Sequence, residues 1–289
     1  MNPREISFEN RKEFWYQFFK YTKVFYGSPE IIQEEDKDDK RRFLIFLEQE
    51  IVGTFAIRND LVFYLSLKDD LTDKIDELFN NIKILLKDCQ SVRIFAENKF
   101  WDYLTKKEFK KPYERTHMIL DLNSFFNKYS PDNQKYTFLE NENPKTIAEI
   151  LVDGYKGSID EELFAGEEGL TIEKEEESLR DLFDGNNEEF AIIPEASLGI
   201  KNEDNELIGV SIMAFWGSRP IVYDFFVRRD YQGKGLGARL LKKSISSLKD
   251  TESEFLSLFV TEGNYAKRLY EKIGFKDDKN QQAIYHGQL

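Results

Sequence analysis

The residues best suited to chemistry lie in one run, Val227-Arg-Arg-Asp-Tyr-Gln-Gly-Lys-Gly-Leu-Gly-Ala-Arg-Leu-Leu241, where an apolar strand passes into a glycine-rich turn and then an amphipathic helix. Glycine reaches positive φ without a Cβ penalty. Glycines at 233, 235 and 237 are therefore expected to turn successive N–H groups toward an anion at the positive end of the helix. The chemistry this predicts is the cradling of a pyrophosphate.

The flanking elements narrow the choice. A phosphate loop of the Gly-x-x-x-x-Gly-Lys-Ser/Thr kind is absent. A dinucleotide fingerprint follows the first strand of a βαβ unit, whereas this loop comes late in the chain, after a hairpin turning at Gly217-Ser218-Arg219-Pro220. The strands that carry the loop also have a counterpart upstream. Phe43–Leu47, Glu50-Ile51-Val52-Gly53 and Val62–Leu67 are matched by Glu206-Leu207-Ile208-Gly209 and Ile221–Val227. Leu71, Ile75, Leu78, Ile82 and Leu85 recur at helical spacing, as do Leu241, Ile245 and Leu248. Asn98, Leu104 and Phe109 align with Asn264, Tyr270 and Phe275 at one offset, 264 − 98 = 166. Each half reads strand, strand, strand, helix, strand, helix, strand, so the expectation is a duplicated α/β unit. The polar stretch Asn123 to Gln134, with Pro131, marks the joint, although Phe125 and Phe126 predict that it is packed down. The expected division is 1–123, a linker at 124–134, and 135–289.

Composition excludes several classes. The 289 residues are 40% hydrophobic and 33% charged, enough apolar material for a core. A net charge of −13 disfavours binding to nucleic acid or an anionic membrane surface. Cys89 is the sole cysteine, so a disulfide and a cysteine metal cluster are excluded and a reducing, cytoplasmic setting is expected. Neither a secretory signal nor a bilayer-spanning stretch is legible. His117 and His286 fall in corresponding terminal strands without a ligand partner at useful spacing, so no metal is expected. Cys89 reads as a small buried apolar group, and the charge runs Glu34–Arg42 and Glu173–Glu177 as solvated surface.

Gln232-x-x-Gly235-x-Gly237 after Phe225-Phe226-Val227, followed by Asn264-Tyr-Ala-Lys-Arg-Leu-Tyr-Glu-Lys-Ile-Gly-Phe275, resembles the GNAT superfamily of acyl-CoA-dependent N-acetyltransferases. The resemblance covers Tyr136 to Gln288 and implies a mixed α/β fold, a mostly antiparallel sheet flanked by helices, in two tandem copies. It departs from the family at Arg229, where proline is common. The first half departs more: Lys68-Asp-Asp-Leu-Thr-Asp73 has no glycine, Leu104 replaces the tyrosine and Glu108 the glycine. The first half is thus expected to be a degenerate copy that does not bind CoA.

By the same resemblance the co-substrate is acetyl-CoA, held by Phe226, Val227, Gln232, Gly233, Lys234, Gly235, Leu236, Gly237, Ala238 and Asn264. The Tyr270 hydroxyl would face the sulfur and protonate the leaving thiolate, and main-chain N–H groups near Phe226 and Val227 would polarise the thioester carbonyl. Read without the resemblance, Tyr270 is a core aromatic of a plain amphipathic helix that Asn264 caps. Asp224 is the candidate base, because similar enzymes often carry an acid there and it is the sole charge within Ile221–Val227; a strand-edge carboxylate facing solvent or pairing with an arginine is the alternative. Tyr155, Ser158 and Asp160 resemble an acceptor-wall element of some bacterial members, or else form an ordinary helix-ending turn. The expected activity is acetyl transfer to the primary amine of a small molecule or peptide. A CoA-binding scaffold without turnover is the alternative.

Overall fold

The computed structural model describes residues 1–21, 41–89, 92–130, 135–161, 169–187, 190–217 and 219–287, with backbone alone at 19, 98, 110–113 and 279–287. Residues 34–40 of the first charge run, 131–134 of the expected linker and Ser218 of the hairpin turn lie outside them, as do the side chains of Asn98 and His286. The chain forms two compact units, Met1–His117 with Lys279–Leu289, and Met118–Asp278.

The first unit contains β1 (Asn2–Ile6), α1 (Arg11–Tyr21), β2 (Arg41–Leu47), β3 (Glu50–Arg58), β4 (Leu61–Leu67), α2 (Ile75–Leu85), β5 (Val92–Glu97), α3 (Trp101–Lys106) and the start of β6 (Lys110–Asp121). Strands β1 to β4 are antiparallel neighbours, and β5 joins β4 in parallel through Leu61↔Arg93 and Val62↔Ile94. Ile75, Leu78, Phe79 and Ile82 of α2 are buried with Phe55, Leu67 and Ile94. A second cluster joins Phe14, Trp15 and Phe18 of α1 to Leu44, Ala56 and Phe63. Both helices bury one apolar stripe, as a 3.6-residue period requires.

The second unit contains the end of β6, α4 (Leu122–Phe126), β7 (Tyr136–Phe138), α5 (Pro144–Tyr155), α6 (Ile172–Phe183), β8 (Phe190–Ile192), β9 (Leu198–Lys201), β10 (Leu207–Trp216), β11 (Arg219–Val227), α7 (Leu236–Ser246), β12 (Phe255–Thr261), α8 (Ala266–Ile273) and the start of β13 (Lys276–Gly287). Strands β7, β9, β10 and β11 are antiparallel neighbours, with β8 also on β10, and β12 runs parallel to β11. Ile147, Leu151, Leu179 and Leu182 of α5 and α6 pack with Val210 and Ile212. Leu241 and Ile245 of α7 pack with Met213, Val222, Leu258 and Val260. Val210 and Ile212 thus serve one face of β10 and Met213 the other, and Leu258 and Val260 of β12 share one face, the period-2 rule of a strand. Asn143 accepts from Lys145 N at 3.0 Å ahead of Pro144, fixing where α5 begins.

The compact units differ from the division expected at 124–134. Met118 and Leu120 of β6 are buried in the second core, and α4 occupies 122–126, with Asp121 Oδ1 accepting from Ser124 N at 2.7 Å and Phe125 buried. At the other end, β13 leaves the second unit and pairs antiparallel with β5 from Gln282↔Glu97 to Gly287↔Val92. Both crossings occur in single long strands, which stay continuous because each residue added extends a ladder.

Candidate active site

The loop after β11 is built around two glycines. Gly233 and Gly235 have φ of +75° and +77°, and a Cβ at either would meet nothing within 4 Å, so conformation rather than crowding demands glycine. Gly237 departs from the expectation. It lies in the first turn of α7 without a positive φ, and a Cβ there would stand 3.1 Å from Phe225 Cζ. Close packing on β11, not turn geometry, selects glycine at 237. Gly235 is the N-cap of α7 and offers no side-chain bond to the first turn, so the donors of Leu236, Gly237 and Ala238 lie among the orphan N–H groups of a helix N-terminus. Lys234 leans over the Tyr231 ring, its Nζ 4.9 Å from the centroid. Open space, turned donors and positive charge fit a pyrophosphate.

Two side chains hold this loop to its strand. Gln232 Nε2 donates to Val227 O at 2.8 Å, closing the turn. Arg229, at the place where proline is common, donates from Nη2 to Lys156 O and Asp153 O at the end of α5. A 3-10 turn over Arg229–Tyr231 forms the bend without proline.

β11 carries a bulge: Ile212 pairs with Asp224 and Met213 with Val222, leaving Tyr223 as the extra residue. Its register with β12 is at Ile221↔Ser257, below the bulge. Because an antiparallel strand turns alternate N–H groups to its partner, one of the Phe226 and Val227 donors faces away from β10. The first unit has the same device on β4, where the register shifts between Thr54 and Ala56 and Tyr64 takes a φ of +53°.

Two residues singled out separately in the sequence meet here, since the Tyr155 hydroxyl donates to Asp224 Oδ1. The Tyr155 ring stands edge-on to Phe226 at 4.6 Å, and Gly154 permits this, because a Cβ there would come within 2.2 Å of the Phe226 ring. Asp160, 7% exposed, accepts from Asn264 Nδ2 at 2.7 Å through Oδ2, while its Oδ1 is buried and has no hydrogen bond among the described residues. Asn264 Oδ1 in turn accepts from Ala266 N at 2.8 Å, so it caps α8 from two residues upstream of the helix. Ser158 Oγ accepts from Asp160 N at 3.2 Å and shapes the turn. Tyr270 is 8% exposed in the core, its ring 6.4 Å from Phe225 and 5.9 Å from Phe275.

The loop, Tyr155–Asp224 and Asp160–Asn264 thus converge around the ends of α5, β11 and β12. Tyr270 is linked to them through Phe225. A cavity of about 840 Å³ lined by Lys128, Lys242, Phe255 and Lys272 shares none of these residues. In the first unit the corresponding strand end is closed: Lys99 Nζ donates to Leu67 O at 2.7 Å and Tyr21 O at 3.2 Å, with Glu97 and Asp69 carboxylates at 3.5 and 3.6 Å. His117 is buried, and Cys89 is partly exposed rather than buried. Among the described residues no group of three or more His, Cys, Asp or Glu could hold a metal, and no helix is long and apolar enough to cross a membrane.

Residues 181–286 match the family described as the acetyltransferase (GNAT) domain, and the fold of the chain is that of solved GNAT proteins, a tandem GNAT protein among them. A curated relative, the ribosomal protein bS18-alanine N-acetyltransferase of Haemophilus influenzae, is 39% identical over 75 residues, 26% of this chain and 51% of that protein. The chain therefore matches about half the length of that relative. A tandem GNAT protein from the clavulanic acid biosynthesis pathway superposes with a TM-score of 0.68 at 10% identity, covering 99% of this chain and 98% of that one. A GCN5-related N-acetyltransferase from Sphaerobacter thermophilus gives 0.66 at 12% identity over 91% and 86% of the two chains.

Proposed function

We propose that this protein transfers an acetyl group from acetyl-CoA directly to a primary amine, with the chemistry in the second half. The observation that carries this is the pair of positive-φ glycines opening onto an uncapped helix N-terminus at the end of a bulged strand. The bS18-alanine N-acetyltransferase relative supports N-acetylation and makes a peptide terminus one acceptor to try beside small amines. A single cysteine suits a reducing cytoplasm. The sequence halves 1–123 and 135–289, joined by 124–134, are proposed as the duplicated units, and the compact units as what their exchanged terminal strands produce.

Acetyl-CoA would supply an activated thioester, with its diphosphate at Gly233 to Ala238. An amine with a lysine-like pKa near 10.4 is rarely neutral at pH 7, a penalty of about 4.6 kcal/mol. Asp224, which accepts from the Tyr155 hydroxyl, would take the amine's proton. Tyr155 thereby holds the base in one orientation. A main-chain N–H of Phe226 or Val227 polarises the carbonyl, and Tyr270 returns a proton to the thiolate. The second half contains no cysteine, in keeping with transfer without a covalent enzyme intermediate.

One observation favours a second reading. The Tyr270 ring is nearly buried between Phe225 and Phe275, which suits a structural role and hence a CoA-binding regulator or scaffold without turnover. Release of free CoA from acetyl-CoA across an amine panel separates the two. Turnover lost in Asp224→Asn and reduced at least tenfold in Tyr270→Phe supports the enzyme. Saturable CoA binding without release on any amine supports the scaffold, and failure to bind CoA at all removes both.

A further inference from the structure

Taking the acetyl-transfer reading as its base, we propose that Asp160 is a positioning residue, which sets the N-terminus of α8, and with it Asn264 and Tyr270, against the Asp224 end of β11. The turn that carries it, Tyr155 to Glu161, is braced from within. Ser158 N donates to Tyr155 O at 2.8 Å, Gly157 N to Glu161 Oε2 at 2.6 Å and Asp160 N to Ser158 Oγ at 3.2 Å. Gly157 takes a φ of +71°, which lets the chain fold back there. The braced turn reaches separate parts of the site. At its start the Tyr155 hydroxyl donates to Asp224, and the carbonyl of Lys156 receives the Arg229 guanidinium from the bend ahead of the glycine loop. At its end two consecutive residues meet the two that precede α8 and its flank: Asp160 Oδ2 accepts from Asn264 Nδ2 at 2.7 Å, and Ile159 Cδ1 lies 3.2 Å from where a Cβ of Gly263 would stand.

The other bonds of Asn264 are local. Its N donates to Thr261 O at 3.0 Å, its O accepts from Lys267 N at 3.2 Å and its Oδ1 accepts from Ala266 N at 2.8 Å. Such bonds start a helix but do not fix where it stands relative to a distant strand. The bond to Asp160 spans 104 positions and supplies that reference. Because it uses Nδ2, it also fixes which way the amide faces and leaves Oδ1 for the helix. Tyr270 follows Asn264 by 270 − 264 = 6 positions on the same element, so a shift of the first turn of α8 carries the phenol with it against Phe225. Asp160 works from inside the protein: the residue is 7% exposed and its Oδ1 is buried too, so the carboxylate is enclosed rather than presented to an acceptor.

Asp160→Ala and Asp160→Asn test this in the full chain by hydrogen exchange and by the kinetics of CoA release. Asparagine keeps a carbonyl oxygen for Asn264 Nδ2, whereas alanine leaves that donor unanswered. Asp160→Ala is expected to speed amide exchange over Ala266–Tyr270 about tenfold, and Asp160→Asn to restore most of the protection. In turnover, Asp160→Ala is expected to lower kcat about tenfold and to leave the amine KM within about twofold, again with recovery in Asp160→Asn. A carboxylate touching the acceptor would instead raise that KM in both variants, because both remove the charge. If Asp160→Ala does not fold, Asn264→Ser takes its place, since serine caps α8 but has no amide to span to Asp160, and the same faster exchange is expected. Unchanged exchange over α8, or a raised amine KM with no recovery in Asp160→Asn, overturns the proposal. Failure of the parent to release CoA on any amine sinks the acetyl-transfer reading alone, and exchange over α8 still decides on Asp160.

Discussion

A left-handed backbone position that touches nothing is a clean probe of a loop. Gly235→Ala meets no neighbour, so its cost is the φ of +77° alone, about 1 kcal/mol. Chemical denaturation is expected to show that modest loss, and calorimetry a much larger loss of CoA affinity, because the turned donors move. Glu175 is a second probe, in the charge run expected to be solvated. Burial raises its carboxyl above the ordinary range. Such a group binds more protons folded than unfolded, so its contribution to stability falls as pH rises through the carboxylate range. Glu175→Gln is therefore expected to melt higher than the parent at pH 7, with the gap closing below about pH 4. At this scale the glycine loop was legible because positive φ leaves a mark in residue type. Tyr155–Asp224 was not, since the partners are 69 positions apart and hydrogen-bonding side chains carry no periodic signal. The same holds for Arg229, whose partner carbonyls at the end of α5 leave no trace in composition.

Among elements, the two strand ends that should be equivalent have opposite fates. The carbonyl ending β11 takes a glutamine from its own loop, and the carbonyl ending β4 takes the ammonium of Lys99. That lysine is nearly enclosed with Glu97, and Lys99→Met removes the ammonium facing this carboxylate and two main-chain carbonyls, so it is expected to cost the first unit about 3 kcal/mol by thermal or chemical unfolding. The order of strands and helices in both halves was readable because apolar periods of 2 and 3.6 differ over short windows. Helix α1 was overlooked although Phe14, Trp15 and Phe18 fall at i, i+1 and i+4. The shared bulges were invisible, because a bulge is a backbone event that Tyr64 and Tyr223 do not announce.

For the molecule as a whole, the tandem organisation was legible through the repeat, but the exchange of terminal strands was not. Pairing between β5 and β13 joins positions 282 − 97 = 185 apart, and strand pairing over such distances has no local signature. Removing residues 279–289 is expected to leave the second unit's core intact and to lower hydrogen-exchange protection along Val92–Glu97, where the partner strand is lost. The same pairing sets an order of events during synthesis. A ribosome delivers the first unit's residues early, yet the strand that completes its sheet emerges only after the whole second unit, so the N-terminal half must wait, edge exposed, for translation of its last piece.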